Sequence, residues 1–107
     1  MPLERFNPEG LAQPGGYHHV VKDGSTIYVA GRVSRDKEGK TVGVGDADAQ
    51  AEQIFSNVQE ALEAAGSDMN HIKKLNVFMT HREDIPAYRV ARGKFISDDA
   101  LPVSTLI

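Results

Sequence analysis

One amphipathic segment, residues 46–66, limits what this chain can fold into more than any other feature. Apolar side chains recur there at spacings of three and four residues, the pattern of one face of an α-helix. The members of this stripe are Ala51, Ile54, Phe55, Val58, Ala61, Leu62 and Ala65. Asp46 is a residue type that caps helix N-termini, and Gly66 suits the left-handed conformation that ends helices. The rest of the chain must supply a surface that covers this stripe.

A β-hairpin is predicted before this helix. Residues 17–21 and 26–31 are short runs rich in β-branched and aromatic side chains, and Asp23-Gly24 lies between them. An Asp-Gly pair in this position predicts a hairpin closed by a type I′ turn. Residues 7–16 contain Asn-Pro, Gln-Pro and Gly-Gly pairs, so we predict an irregular lead-in to the hairpin.

The segment after the long helix is predicted to alternate strand, helix and strand. Residues 72–79 have the pattern of a buried strand with alternate side chains on one face. Asp84 is predicted to cap a second helix, which runs to Ile96 and accepts Pro86 in its first turn. Residues 103–107 then begin a further strand. The predicted order of elements is therefore ββαβαβ.

This order predicts a single α+β domain over residues 1–107, a ferredoxin-like sandwich with both helices on one face of the sheet. The other face has no second helical layer to cover it. Four apolar residues are predicted to be distributed over both faces: Val20, Ile27, Val29 and Val77. An uncovered apolar sheet face is typical of an oligomer, so we expect the chain to self-associate.

Composition narrows the classes of function. The 107 residues include 12 Lys+Arg, 15 Asp+Glu and no cysteine, for a net charge of -3. Without cysteine, disulfide scaffolds, thiolate metal sites and cysteine nucleophiles are excluded. The acidity argues against a nucleic-acid partner, because such binding usually needs a basic face. No apolar run approaches the roughly 20 residues of a membrane span, and the first residues do not resemble a signal peptide, so we expect a cytoplasmic protein without a membrane partner.

The four histidines do not form a metal-binding pattern. His18 and His19 are neighbours on a predicted strand, so their side chains point to opposite faces. His71 and His81 lie at opposite ends of the strand predicted over residues 72–79, about 30 Å apart. We therefore predict no metal site.

An ordered series of short motifs runs from Asn7 to the last residue. It begins with Pro14-x-Gly16-Tyr17, Tyr28-Val29-Ala30-Gly31-Arg32, Gly39-x-x-Val42-Gly43 and Asp46-x-x-x-Gln50. It continues with Asn57-x-x-x-Ala61-Leu62-x-Ala64-Ala65-Gly66, His71-Ile72-x-Lys74-Leu75-x-Val77-Phe78-Met79-Thr80 and Pro102-Val103-Ser104-Thr105. Each motif is weak alone, but the series in this order resembles the RidA family, also known as the YjgF or endoribonuclease L-PSP family.

The resemblance implies a chorismate-mutase-like α+β fold that assembles as a homotrimer around a central barrel, with ligand clefts between subunits. It implies hydrolysis of reactive enamines and imines, such as 2-aminoacrylate, to a 2-keto acid and ammonia. It also implies that no metal or organic cofactor takes part. Other members of the family are described as ribonucleases, translation inhibitors or ligand binders.

The resemblance also implies a site for a small carboxylate or imine ligand. Tyr17 matches the family tyrosine that walls the cleft, and Gly31 matches the glycine whose backbone lines it. Arg89 stands where deaminating members commonly have asparagine. Ser104 stands where the family's Pro-Ala-Arg-Ser/Thr motif has the arginine that clamps the substrate carboxylate, which places this chain in an arginine-less branch. A hydroxyl cannot replace a bidentate guanidinium–carboxylate pair.

The family's late glutamate, thought to orient water, has no counterpart in this sequence. The sequence ends at Ile107, before the strands that would carry that glutamate. We therefore expect a domain truncated at the C-terminus. A fold of this family without its last strands would have an unpaired sheet edge.

Three functions fit these observations. The first is a cofactor-free imine or enamine deaminase, which Tyr17 and Gly31 support and Ser104 opposes. The second is a non-catalytic trimeric protein that binds small molecules, in which Arg89 or Arg32 replaces the missing anion contact. The third is an L-PSP-type endoribonuclease or translation inhibitor, and it is the weakest because the net charge is -3 and no stripe of aromatic and basic residues is present.

Overall fold

The computed structural model describes residues 3–107. Its regular elements are β1 (Glu4–Phe6), β2 (Val20–Asp23), β3 (Thr26–Val29), α1 (Ala47–Ala64), β4 (Lys74–Val77), α2 (Ile85–Phe95) and β5 (Val103–Leu106). The predicted α+β class with two helices is confirmed, and within residues 3–107 neither helix has the length and hydropathy that crossing a membrane requires.

The first strand, β1, was not predicted. It pairs antiparallel with β2, with Phe6 opposite Val20. A strand of three residues is too short to show the alternation by which strands are recognised in a sequence. The observed order of elements is therefore βββαβαβ.

The predicted hairpin is present, but its turn differs from the prediction. Asp23 is paired with Thr26, so Gly24 and Ser25 are the two turn residues. Gly24 has a φ of +61°, and within residues 3–107 no residue other than glycine has a positive φ. A type I′ turn needs positive φ at both turn residues, so that prediction was wrong; glycine at the first turn position alone is the type II′ pattern. The Asp23-Gly24 pair did not predict the turn type correctly, because Asp23 is still paired with Thr26 in the hairpin and is not a turn residue.

Helix α1 begins and ends where the sequence predicts. The Asp46 side chain accepts a hydrogen bond from the Ala49 amide at 3.1 Å. Gly66 follows the helix with a φ of +86°. Phe55, Ala61 and Leu62 are buried, as the apolar stripe requires.

Helix α2 differs from the prediction at its start. Pro86 lies in the first turn, as expected, but the Asp84 side chain makes no capping hydrogen bond. The helix follows directly from a 3-10 turn, Arg82–Asp84, and Asp84 already has helical backbone angles. The predicted capping role of Asp84 was therefore wrong, because a cap residue needs an extended backbone to aim its side chain at the first free amides.

The strands form two small sheets in residues 3–107. β1, β2 and β3 form an antiparallel sheet in that order, and β4 and β5 form a parallel pair with Leu75 opposite Ser104. Helix α1 packs against α2 and β3. The single sheet that the sequence predicted is thus present in two parts.

Both sheets contribute to one main core. Ile27 and Val29 from β3 and Leu75 and Val77 from β4 pack against the same cluster. The buried members of that cluster are Phe55, Leu62, Met69, Tyr88, Ala91 and Ile96. The helical layer therefore covers both sheets.

The apolar strand residues lie on the core side, contrary to the prediction that they occupy both faces. Val20 is fully buried, and Ile27, Val29 and Val77 all pack inward. Val20 and Val29 are opposite each other in the ladder, so their side chains share a face. The apolar residues that do face outward are others, among them Tyr28 at 60% exposure and Val103 at 68%.

Candidate functional site

Tyr17 lies just before β2, and its ring is 49% exposed. Its neighbour His19 is buried, and the two rings meet edge to face with centroids 5.7 Å apart. His19 Nε2 lies 2.6 Å from the carbonyl oxygen of Ala12, which requires the proton to be on Nε2. The buried histidine therefore ties the lead-in segment to the hairpin and provides a fixed support for the exposed tyrosine.

Gly31 follows β3 directly and is exposed. A Cβ atom at this position would meet no other atom within 4 Å, so the space over this backbone is open within the chain. The next residue, Arg32, donates from Nε to the carbonyl oxygens of Ala30 at 3.0 Å and Gly31 at 3.1 Å. Burial lowers the pKa of Arg32, while its neighbour Tyr17 raises it. Arg32 thus contacts both Tyr17 and Gly31, the two residues that the family resemblance predicts in one site.

The loop after Gly31 is held on helix α1 by a buried amide. Asn57 donates from Nδ2 to the carbonyl oxygen of Arg35 at 2.8 Å. Gln53 in turn donates to the side-chain oxygen of Asn57 at 2.9 Å. The buried Ser34 hydroxyl donates to the carbonyl oxygen of Val42 at 2.6 Å. These bonds fix the backbone on either side of Ser34, so Gly31 and Arg32 lie on an anchored loop.

Ser104 lies on β5, opposite Leu75 of β4, and is exposed. Arg89 lies on α2 and is also exposed. Within residues 3–107, no hydrogen bond or aromatic contact connects either residue with Tyr17 or Gly31. Within one chain, Arg32 therefore contacts both Tyr17 and Gly31, whereas Arg89 and Ser104 lie on other elements.

Two shallow cavities on the described surface do not coincide with the predicted site. One, of about 400 Å³, is lined by Ala49, Glu52, Gln53, Ser56 and Phe95. The other, of about 260 Å³, is lined by Met79, Thr80, Arg82, Ile85, Leu106 and Ile107. Neither includes Tyr17, Gly31, Arg89 or Ser104.

The described residues also contain no grouping of three or more histidine, aspartate or glutamate side chains that could hold a metal ion. The groups near Tyr17 that can bind a ligand include its own phenol, the Arg32 guanidinium and the exposed His18 imidazole. Such groups bind and orient small polar ligands through hydrogen bonds and charge.

Comparison with solved structures defines the fold class. RidA from the Antarctic bacterium Psychrobacter sp. superimposes with a TM-score of 0.86 and 29% sequence identity, covering 96% of this chain and 82% of that one. The fold is thus that of the Rid proteins.

Sequence comparison defines the family. The model of the endoribonuclease L-PSP family matches residues 9–107. A 2-iminobutanoate/2-iminopropanoate deaminase from Dermatophagoides farinae is 30% identical over 81 residues, which cover 76% of this chain and 63% of that protein. The 3-aminoacrylate deaminase RutC from Acinetobacter baylyi is 27% identical over 100 residues, 92% of this chain and 79% of that protein. The chain belongs to the endoribonuclease L-PSP, or Rid, family, as its motif series predicts.

Two residues near the candidate site have a larger part in the structure than the sequence predicts. The sequence predicts Arg32 only as an alternative to Arg89 for the anion contact, and it predicts no role for Asn57. A signal for Asn57 was present, because it lies among the apolar positions of α1 and a polar residue there needs hydrogen-bond partners. Nothing in the sequence indicates that the Arg32 guanidinium is half-buried beside Tyr17, because that burial depends on tertiary packing.

Proposed function

We propose that this protein hydrolyses small imines and enamines that carry a carboxylate, to a 2-keto acid and ammonia. An enamine first tautomerises to its imine; water then adds to the imine carbon, the C–N bond breaks, and the nitrogen leaves as ammonia. The observation that carries the proposal is that Arg32 contacts both the exposed Tyr17 and the open Gly31 backbone. The names of the deaminase relatives support the same chemistry.

The proposed site lies between subunits of a homotrimer. Within one chain Tyr17 and Gly31 are both exposed, and neither lines either of the two cavities described above. The exposed apolar side chains of Tyr28 and Val103 support burial of the outer sheet faces against other copies. In this assembly Tyr17 from one subunit would face Ser104 from its neighbour, with Arg89 at the rim.

The chemistry of Tyr17, Gly31 and Ser104 suggests how each would contact the ligand. The Tyr17 ring forms an apolar wall, and its hydroxyl can donate or accept a hydrogen bond. The Gly31 backbone permits close approach of the ligand, because no side chain covers it. Ser104 offers one hydroxyl to the carboxylate, a weaker contact than a guanidinium. We therefore propose a deaminase with weak recognition of the carboxylate from the β5 side.

A non-catalytic binding protein is the second candidate, and Ser104 favours it. An exposed hydroxyl in place of the clamping arginine is compatible with ligand capture without turnover. The two candidates differ in one measurable quantity, the rate at which ammonia is released.

The experiment generates 2-aminoacrylate in situ from serine with a pyridoxal-phosphate-dependent dehydratase and measures the keto acid formed in excess of spontaneous hydrolysis. We expect wild-type protein to increase the rate and Gly31→Leu to abolish the increase, because a leucine would fill the proposed cleft. Gly93→Leu is the matched control, since Gly93 is exposed on α2 and has open space around it. Sedimentation of the same samples tests the trimer.

A wild-type rate equal to the spontaneous one would contradict the deaminase proposal and favour the binding protein. Equal loss in the two leucine variants would show that Gly31 has no special place in the site. A protein that sediments only as a monomer would contradict the cleft between subunits.

A further inference from the structure

The Arg32 guanidinium has only neutral hydrogen-bond partners among the described residues. Its Nε donates to the carbonyl oxygens of Ala30 and Gly31, and the Tyr17 phenol lies within hydrogen-bonding reach of its side chain. No carbonyl or carboxylate oxygen of the described residues accepts from its two terminal nitrogens. Those terminal nitrogens form one edge of the planar fork that fits a carboxylate.

The same guanidinium has no carboxylate counterion among the described residues. Within residues 3–107, ion pairs join His71 with Asp68 and Lys94 with Glu52, and neither involves Arg32. Arg32 is half-buried, and burial lowers its pKa. Arginine nevertheless stays protonated in proteins, so the positive charge remains. A partly desolvated cation without an anionic partner is unfavourable, and an anionic ligand would relieve that cost.

Arg32 is also held in place, unlike the other arginine of the predicted site. Its Nε is fixed by two backbone carbonyl oxygens, and the loop that follows it is anchored to α1 by Asn57. Arg89 lies exposed on α2, and no hydrogen bond of its side chain is present in residues 3–107. A fixed guanidinium loses less conformational entropy on binding than a free one.

We propose that Arg32 binds the carboxylate of a small 2-oxo or 2-imino acid in this protein, and that it supplies from the β3 side the charge that Ser104 does not supply from β5. The inference rests on the proposed function for the position of the cleft. A carboxylate on the free edge of Arg32 would lie beside the Tyr17 ring and close to the open Gly31 backbone. The remainder of the ligand would then face the partner subunit.

The test measures binding apart from turnover. Isothermal titration of the full chain with 2-oxobutanoate, a stable keto acid, gives the Kd for wild type and for Arg32→Gln, Arg32→Lys and Arg89→Gln. We expect Arg32→Gln to weaken binding by about 10- to 100-fold, the usual range for loss of a charged hydrogen-bonding partner. Arg32→Lys should recover only part of the loss, because an ammonium lacks the planar fork. Arg89→Gln tests the alternative anion contact and should weaken binding less than Arg32→Gln does. Arg5→Gln, titrated in the same way, is the matched control: Arg5 is exposed on β1, outside the proposed site, and its loss should change Kd by less than about twofold.

The uncharged analogue 2-oxobutanamide provides a second measurement that needs no variant. If Arg32 recognises the carboxylate, the amide should bind wild type weakly, and its Kd should not change in Arg32→Gln. Circular dichroism of each variant confirms that it is folded. Unchanged 2-oxobutanoate binding in a folded Arg32→Gln protein would overturn the inference, as would a larger loss in Arg89→Gln.

Failure of this inference is distinguishable from failure of the proposed function. Arg32-dependent binding without ammonia release would support the inference and contradict the deaminase. Deaminase activity with the same kcat/KM in wild type and Arg32→Gln would support the deaminase and overturn the inference. A wild-type protein that binds no 2-oxobutanoate at millimolar concentration would also overturn the inference.

Discussion

The hairpin side of the molecule and the β4–β5 side are held in different ways. On the hairpin side, Val20 is fully buried, His19 is 3% exposed, and the loop after β3 is bound to α1 through Asn57. On the other side, every residue of β5 is exposed, and β5 pairs with β4 alone within residues 3–107. The hairpin side is therefore anchored along its length, whereas the other side packs on the core through Leu75 and Val77 of β4 and leaves β5 exposed.

This difference bears on how a site could be built. Tyr17, Gly31 and Arg32 belong to the anchored side, so their geometry exists before any ligand or partner arrives. Ser104 belongs to the exposed strand, where its surroundings depend on what covers β5. A preorganised surface binds with less loss of entropy, so we expect most of the recognition to come from the hairpin side.

The largest expected effect is that of an arginine introduced on β5 on the deaminase kcat/KM. Ser104→Arg should raise deaminase kcat/KM by up to about 100-fold, since a bidentate contact worth about 3 kcal/mol would be added. Steady-state kinetics with in situ 2-aminoacrylate measures this, and Thr105→Arg is the control because adjacent strand residues point to opposite faces. Wild-type turnover equal to that of an arginine-containing relative would contradict the view that the β5 contact is weak.

The same valine-to-alanine substitution on each side compares the burial of the hairpin side with that of the β4–β5 side. Val20→Ala should lower the free energy of unfolding by about 2 kcal/mol, because two buried methyl groups and their packing are lost. Val103→Ala should cost about 1 kcal/mol, because the proposed trimer covers this side chain, which is 68% exposed in the single chain. Urea denaturation measures both values. A change of less than about 0.5 kcal/mol at Val103 would show that the outer face of β5 is in water and would contradict the proposed trimer.

The anchoring of the loop can be tested at Asn57. Asn57→Ala should cost about 1.5 kcal/mol of stability, because the carbonyl oxygen of Arg35 loses its buried donor. Asn76→Ala is the control, since Asn76 is exposed on β4. Thermal denaturation gives the comparison, and equal small effects at both positions would show that the loop is not held by this amide.

The smallest expected difference lies at the two helix starts. Asp46→Ala should destabilise the protein by about 1 kcal/mol, because the cap of α1 is lost. Asp84→Ala should have almost no effect through capping, because the Asp84 side chain makes no capping bond. Chemical denaturation of the two variants decides this, and a larger loss at Asp84 would contradict the observed start of α2.

Elements with a strong local pattern were predictable from the sequence. The apolar stripe, Asp46 and Gly66 together determined α1, since each acts within a few residues along the chain. The hairpin and β5 were found for the same reason. The turn type and the start of α2 were predicted wrongly. The turn lies one residue further along the chain than Asp23-Gly24 predicts, and a 3-10 turn precedes α2, so Asp23 and Asp84 do not occupy the turn and cap positions.

The sequence by itself determined the two helices through local periodicity and the family through the order of its motifs. The resemblance to that family predicts the candidate residues Tyr17, Gly31, Arg89 and Ser104. Only the tertiary structure decided that the strands form two sheets and that Val20, Ile27, Val29 and Val77 all pack inward. It alone placed the Arg32 guanidinium half-buried beside Tyr17, with no ion pair to a carboxylate of residues 3–107. Burial and charge compensation depend on residues that are distant in sequence, so no local pattern could reveal them.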